Sequence, residues 1–111
     1  MSNTGLRRRF QTPSPADHRI LQLHAAMVDK IIAQPELIDQ IKVTLDNRLE
    51  MGKIRHGGHL TWHCILELIT HPRAFKEAVL ADTPHMRRLR RKTPFVGILT
   101  EEERQNALIG S

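Results

Sequence analysis

The sequence predicts an all-α fold, a small compact bundle of five to six helices with a disordered basic arm at its N-terminus. Apolar residues recur at helical spacing through most of the chain, and no pair of alternating runs flanks a hairpin turn. Ser14 and Thr83 each precede a proline, which is typical of an N-cap followed by proline at the first helical position. A chain of 111 residues suits one domain. We assign residues 14–111 to a single helical domain and residues 1–13, rich in polar residues and arginine, to the arm.

The two longest helices are predicted at about residues 15–34 and 36–51, and we expect them to pair as an antiparallel hairpin. Ser14 with Asp17 three residues later is a signature of a helix N-terminus, and Gly52 ends the second helix. Each helix has one apolar arc at 100° per residue. The arcs contain Ile20, Leu23, His24, Met27, Val28 and Ile31 in the first helix, and Leu37, Ile38, Ile41, Leu45 and Leu49 in the second.

The rest of the chain predicts shorter helices with distinct boundaries. Trp62 and Phe75 lie on apolar arcs and are expected in the core, so neither should stack on nucleic-acid bases. In order, we expect a flexible connection at 53–58, a third helix ending before His71-Pro72, a fourth helix carrying Phe75, a fifth beginning at Thr83, an apolar connector at 93–99, and a last helix with a capping box of Thr100 and Glu103.

The excess of positive charge lies in two clusters. Seventeen Lys and Arg oppose twelve Asp and Glu, which gives a formal net charge of +5. Removing the eight clustered cations leaves −3, so a mildly acidic body carries two basic patches. Such patches favour contact with a polyanion or an acidic protein. The clusters are Arg7, Arg8 and Arg9 in the arm, and Arg87, Arg88, Arg90, Arg91 and Lys92 in the fifth helix.

The basic run of the fifth helix is the main candidate for nucleic-acid binding. Arginine's planar fork suits phosphate and carboxylate oxygens. Acidic-protein contact and a solvated face stabilised by the helix dipole are the alternatives. If both clusters met phosphates, six to eight contacts would give a log-affinity against log-salt slope of about −5 to −7. A helical wheel places Met86 and Leu89 on one side and Arg87, Arg88 and Arg91 on the other, with Arg90 and Lys92 at the flanks.

Three residues spaced four apart, His59, His63 and Glu67, are the candidate metal ligands. Two imidazoles and a carboxylate suit zinc, yet the pattern has neither paired cysteines nor the glutamate of a His-Glu-x-x-His motif. Ordinary surface or capping histidines are the alternative, and we predict no cofactor. Cys64 is expected to face away from the Trp62 arc, and no glycine-rich phosphate loop is present. These observations favour a protein that is not an enzyme, with a small metal-dependent enzyme as the alternative.

The single cysteine and the lack of long apolar segments indicate the compartment. Cys64 cannot form an intramolecular disulfide, which fits a reducing cytosol. The N-terminal cations are not followed by the apolar stretch of a signal peptide, and no run approaches the roughly 20 apolar residues of a membrane span. We therefore expect a cytoplasmic protein without membrane contact.

The segment 86–104 resembles the C-terminal part of small helical bacterial proteins from toxin-antitoxin operons. In that group a basic-apolar helix leads into a Pro-Phe-x-Gly-x-Leu-Thr-x-Glu-Glu-Arg tail, which residues 94–104 match here. The basic run of this chain has more arginine than is usual in the group. The resemblance implies a regulatory role with a protein partner, as the antitoxin member, and transfers no catalytic residue.

The apolar tail residues Phe95, Ile98 and Leu99 are the candidate partner-binding surface. The alternative is that the tail folds back over the chain's own helices. The first function hypothesis is a non-enzymatic regulator of antitoxin type that binds a cognate protein such as a toxin and contacts operator DNA through the basic helix and arm. The second is a general DNA- or RNA-binding accessory protein acting through phosphate contacts. The oligomeric state stays open, with a homodimer as one alternative.

Overall fold

The computed structural model describes residues 13–109, and within that range the chain forms six α-helices and no β-strand. The predicted all-α fold is confirmed. The predicted arm lies outside the described residues except for Pro13. No helix between residues 13 and 109 combines the length and apolar content needed to cross a membrane. The helices are α1 (Pro15–Ala33), α2 (Leu37–Glu50), α3 (His56–Glu67), α4 (Pro72–Val79), α5 (Pro84–Arg91) and α6 (Glu101–Ile109), with a 3₁₀ turn at Leu68–Thr70.

The predicted helix starts carry the expected caps. Ser14 Oγ accepts the backbone N–H of Asp17 at 3.1 Å, and the Asp17 carboxylate accepts the backbone N–H of Ser14 at 3.0 Å. Thr83 caps α5 with its hydroxyl oxygen. Thr100 and Glu103 form the same reciprocal pair at the start of α6. Each pair satisfies N–H groups that have no partner within the helix, so these boundaries follow from local sequence alone.

Gly52 ends α2 through a Schellman motif. The N–H of Lys53 bonds to the carbonyl of Arg48 at 2.7 Å, and the N–H of Gly52 bonds to the carbonyl of Leu49 at 3.1 Å. This geometry requires a left-handed residue after the helix, and Gly52 has a φ of +72°. Residues 53–55 then form the connection to α3.

Helix α1 packs against α4, α5 and α6, whereas α2 packs mainly against α3. The expected hairpin of the two longest helices is therefore wrong as a packing unit. The reason is that the apolar arc of α1 is covered by helices from the C-terminal half. The core collects buried side chains from every helix except α6 together with the connector between α5 and α6, among them Ile31, Leu45, Trp62, Phe75 and Ile98.

Helix α3 begins earlier than predicted, because the connection expected to extend to Gly58 ends at Arg55. Arg55 is extended and serves as the N-cap, and both glycines of the pair at 57–58 lie inside the helix. A Cβ on Gly58 would lie 3.4 Å from Ile54 Cγ1 and 3.6 Å from Leu89 Cδ2, so the start of α3 packs closely on α5. Packing overrides the low helix propensity of glycine here.

His24 joins α1 to the connector that follows α5. Its ring is 1% exposed, with Nδ1 2.7 Å from the Ile20 carbonyl and Nε2 2.9 Å from Thr93 Oγ1. Because a carbonyl only accepts, the neutral ring donates from Nδ1 and accepts the Thr93 hydroxyl at Nε2. Burial lowers the pKa of His24 to about 4, and the positive charge of Arg90 acts in the same direction.

Acidification should therefore destabilise the fold through His24. The unfolded chain takes up a proton near the ordinary pKa of 6.5, whereas the folded ring resists protonation down to a pKa of about 4. The stability from the neutral ring is complete above the unfolded pKa, and about 2 kcal/mol of it is lost between about pH 7 and pH 5. Urea unfolding at both pH values measures the loss. His24→Leu should flatten this dependence, and an equally steep loss in that variant would contradict the assignment.

Candidate nucleic-acid interface

The cations of residues 87–92 do not share one solvent-facing surface. Arg90 is 2% exposed, and its Nη1 donates to the carbonyls of Val79 and Ala81 at 2.9 and 2.8 Å. These carbonyls lie at and just after the end of α4, so Arg90 joins α4 to α5. Burial lowers its pKa from the ordinary value. This corrects the helical-wheel expectation that Arg90 flanks a phosphate-binding face.

Arg87 and Arg91 are held by carboxylates of the same chain. Arg87, which the wheel placed towards solvent, is 8% exposed and donates from Nε to Asp82 Oδ1 at 2.9 Å. Arg91 donates from Nε and Nη2 to the two oxygens of Asp17, at 2.8 and 2.7 Å. This bidentate pair lowers the pKa of the Asp17 carboxyl and raises that of Arg91. Both arginines therefore serve the fold.

Arg88 and Lys92 are the members of the run that stay exposed without a salt-bridge partner among residues 13–109. They line an open groove of about 1210 Å³ between the α2–α3 connection and α5. We call it the cationic groove, because no aspartate or glutamate is found in its described lining. Its basic lining residues are Arg48, Lys53, Arg55, His85, Arg88, Arg91 and Lys92.

The two cations that form the side of the groove before α3 were not predicted from the sequence. Lys53 and Arg55 are both exposed and lie in the connection that follows the turn at Gly52. The available signal was that the three residues 53–55 carry two cations and no acid. The proximity of this short segment to α5, more than thirty residues later, is a property of the fold.

Arg48 fixes the two walls relative to each other. Its Nη1 donates to the backbone carbonyls of Lys92 and Thr93, both at 3.0 Å. The guanidinium thus ties the last turn of α2 to the end of α5, while its charge still faces the groove. Ile54, Leu89 and Val96 supply apolar lining between the cations.

The apolar tail folds back onto its own chain. Phe95 and Ile98 are 2% and 1% exposed, and the Phe95 ring lies 5.2 Å from the Trp62 ring and 5.6 Å from the His24 ring, centroid to centroid. Leu99 is half-buried against the core. The expectation that these residues form a partner-binding surface is wrong for Phe95 and Ile98, because the core of so small a chain needs their apolar area.

The histidine cluster forms with a different carboxylate from the predicted one. His59 Nε2 and His63 Nε2 lie 2.8 and 3.2 Å from Asp46 Oδ1, which comes from α2. These hydrogen bonds lower the pKa of the Asp46 carboxyl. Glu67 is exposed and does not belong to the group, which corrects its place among the candidate ligands. Trp62 is fully buried and Cys64 is exposed, as predicted.

The arm residues Arg7, Arg8 and Arg9 lie outside the described residues. No known protein family, curated protein or solved structure matches the chain.

Proposed function

We propose that the protein is a non-enzymatic nucleic-acid-binding protein that contacts the phosphate backbone of duplex DNA through the cationic groove. The observation that carries this proposal is the grouping of four exposed cations without a salt-bridge partner in the described part of the chain. Two of them, Lys53 and Arg55, precede α3, and the other two, Arg88 and Lys92, lie at α5.

The charge balance of the groove favours an anionic ligand. Like charges that line one concave surface repel each other, and an anion bound between them offsets that repulsion. Arg87, which lies outside the groove, and Arg91, which contributes to its lining, both have carboxylate partners at 2.9 Å or less, so this fold does neutralise arginine where an acid lies within reach. The groove offers Arg55 and Arg88 no such acid.

The burial of the tryptophan and phenylalanine rings near the groove favours contact with the nucleic-acid backbone over base stacking. Proteins that bind single strands without sequence preference stack the bases on accessible aromatic rings. Trp62 is 0% exposed and Phe95 is buried beside it, so neither offers a stacking face. Duplex DNA, whose phosphates lie on the outside, is the form that cations of this groove are suited to contact.

An operator-binding regulator of the antitoxin type would use the same groove and stays a prediction. Its protein partner would need a surface other than Phe95 and Ile98, which the core occupies. A preference for one DNA sequence over unrelated duplexes would favour this role over that of a general accessory protein.

Removing one cation from each wall should weaken DNA binding. The double variant Arg55→Ala, Arg88→Ala loses two phosphate contacts, and we expect its affinity for a labelled duplex at low salt to fall at least about tenfold. Fluorescence anisotropy measures this affinity. The matched control is Arg19→Ala, Arg73→Ala, which removes two exposed cations of α1 and α4 that lie outside the groove.

The control should bind within about threefold of the unaltered protein, because its cations make no direct phosphate contact. Equal weakening in both double variants would mean that net charge, and not the groove, governs binding. Tighter binding of a single strand than of the matching duplex would contradict the backbone mode.

A further inference from the structure

The facing surfaces of α2 and α3 bring together three side chains that the proposed DNA-binding function does not use. Asp46 comes from α2, and His59 and His63 lie one helical turn apart on α3. The candidate ligand atoms, one from each residue, all lie within 4.8 Å of one another. The two imidazole rings are 4.4 Å apart between centroids.

We propose that Asp46, His59 and His63 form a binding site for a divalent transition-metal ion, with zinc as the ion that the ligand set fits best. Imidazole nitrogen together with a carboxylate oxygen is a donor set that zinc takes, whereas calcium and magnesium prefer oxygen ligands alone. A fourth position would be left for water, as in zinc sites with three protein ligands.

The distances are close to those that a tetrahedral zinc site needs. With metal–ligand bonds of about 2.0–2.1 Å, neighbouring ligand atoms lie about 3.4 Å apart. Asp46 Oδ1 is 2.8 Å from His59 Nε2 and 3.2 Å from His63 Nε2. These two distances differ from the tetrahedral spacing by about 0.6 Å or less.

The surroundings hold the imidazoles in place and leave a route for the ion. The side chains of His59 and His63 are 20% and 25% exposed, so packing limits their rotamers, whereas that of Asp46 is 63% exposed. Both Nε2 atoms converge on the same carboxylate oxygen from consecutive turns of α3. A metal at this point would replace two hydrogen bonds by three coordinate bonds and link α2 to α3.

Calorimetric titration of the untagged full chain with zinc chloride tests the site. We expect one zinc per chain, and cobalt in its place should show the visible absorption of a tetrahedral ion. His63→Ala and Asp46→Asn should weaken zinc binding more than about 100-fold, since altering outer-shell partners alone costs 10–100-fold. Asp46→Asn keeps the shape of an exposed side chain, so folding is preserved.

Two control variants separate this ligand set from its neighbours. Glu67→Gln and Cys64→Ser change two other ligand-type side chains of the same helix and should leave the zinc stoichiometry unchanged. Histidine nuclear magnetic resonance spectra of the unaltered chain should show zinc-dependent shifts confined to two imidazoles. The proposal is overturned if zinc fails to bind stoichiometrically, if Asp46→Asn binds as the unaltered chain does, or if a control variant loses the ion.

Discussion

Replacing Arg90 with alanine should lower the free energy of unfolding by about 3 kcal/mol, the largest single effect that we expect in the basic run. The change removes two charge-assisted hydrogen bonds, to the carbonyls of Val79 and Ala81. The two carbonyl oxygens would then remain partly buried without a hydrogen-bond donor. The lost volume adds a cavity between α4 and α5. Urea unfolding followed by circular dichroism at neutral pH measures the loss.

Arg88 provides the matched control for Arg90, since the two arginines are two residues apart in one helix. Arg88 is exposed and has no salt-bridge partner among residues 13–109, so Arg88→Ala should change stability by less than about 0.5 kcal/mol. Arg90→Lys should fall between the two, because an ammonium group lacks the guanidinium's planar fork. Equal stability of Arg88→Ala and Arg90→Ala would contradict the division of the basic run into structural and exposed arginines.

Local signals in the sequence were sufficient for the helix boundaries that depend on caps. Ser14, Thr83 and Thr100 each supply a side-chain oxygen at a helix start, and that chemistry acts within three residues. The apolar arcs likewise predicted the burial of Trp62 and Phe75, because the 3.6-residue period is itself local. These features required no knowledge of which helices meet.

The orientation of the basic residues could not be obtained in this way. A helical wheel gives only the angle of each side chain around the helix axis, and we assumed from it that every arginine faces solvent. Arg90 instead turns inward because the end of α4 presents two carbonyls to it, and Arg91 turns to a carboxylate at the start of α1. Such partners come from elsewhere in the chain, 9 to 74 residues away, so only the tertiary structure reveals them.

The same limit applies to the two sites. The histidine spacing suggested Glu67 as the carboxylate because it continues the same helix, whereas Asp46 reaches the imidazoles across the α2–α3 contact. Lys53 and Arg55 line the same groove as residues of α5, and no sequence motif indicates that these two segments lie close together. In both places the sequence identified part of a site. The packing of α2 on α3 supplies the rest of the histidine cluster, and the proximity of residues 53–55 to α5 supplies the rest of the groove.

The salt dependence of DNA binding is the second large effect that we expect, because it reports the number of phosphates that the cationic groove contacts. Each phosphate neutralised in a B-DNA duplex contributes about −0.9 to the slope of log affinity against log salt. The four unpaired groove cations should therefore contribute a slope of about −4, which corresponds to more than a 100-fold loss of affinity between 50 and 200 mM salt. Arg87, Arg90 and Arg91 are engaged within the fold, so they should add little.

The arm needs its own variant, because Arg7, Arg8 and Arg9 could each release a counterion. Replacing these three with alanine removes the contribution of the arm and leaves the groove intact. The slope that remains in this variant is the part due to the groove, which we expect to be near −4.

The most direct test is the salt dependence of duplex-DNA affinity for the arm variant with and without four further alanine substitutions, at Lys53, Arg55, Arg88 and Lys92. We expect the slope to flatten from about −4 to no steeper than about −1 when these four cations are removed, because Arg48 keeps one charge at the groove, with helicity and thermal stability retained. An unchanged slope in the groove variant, at preserved fold, would contradict the assignment of DNA binding to the cationic groove.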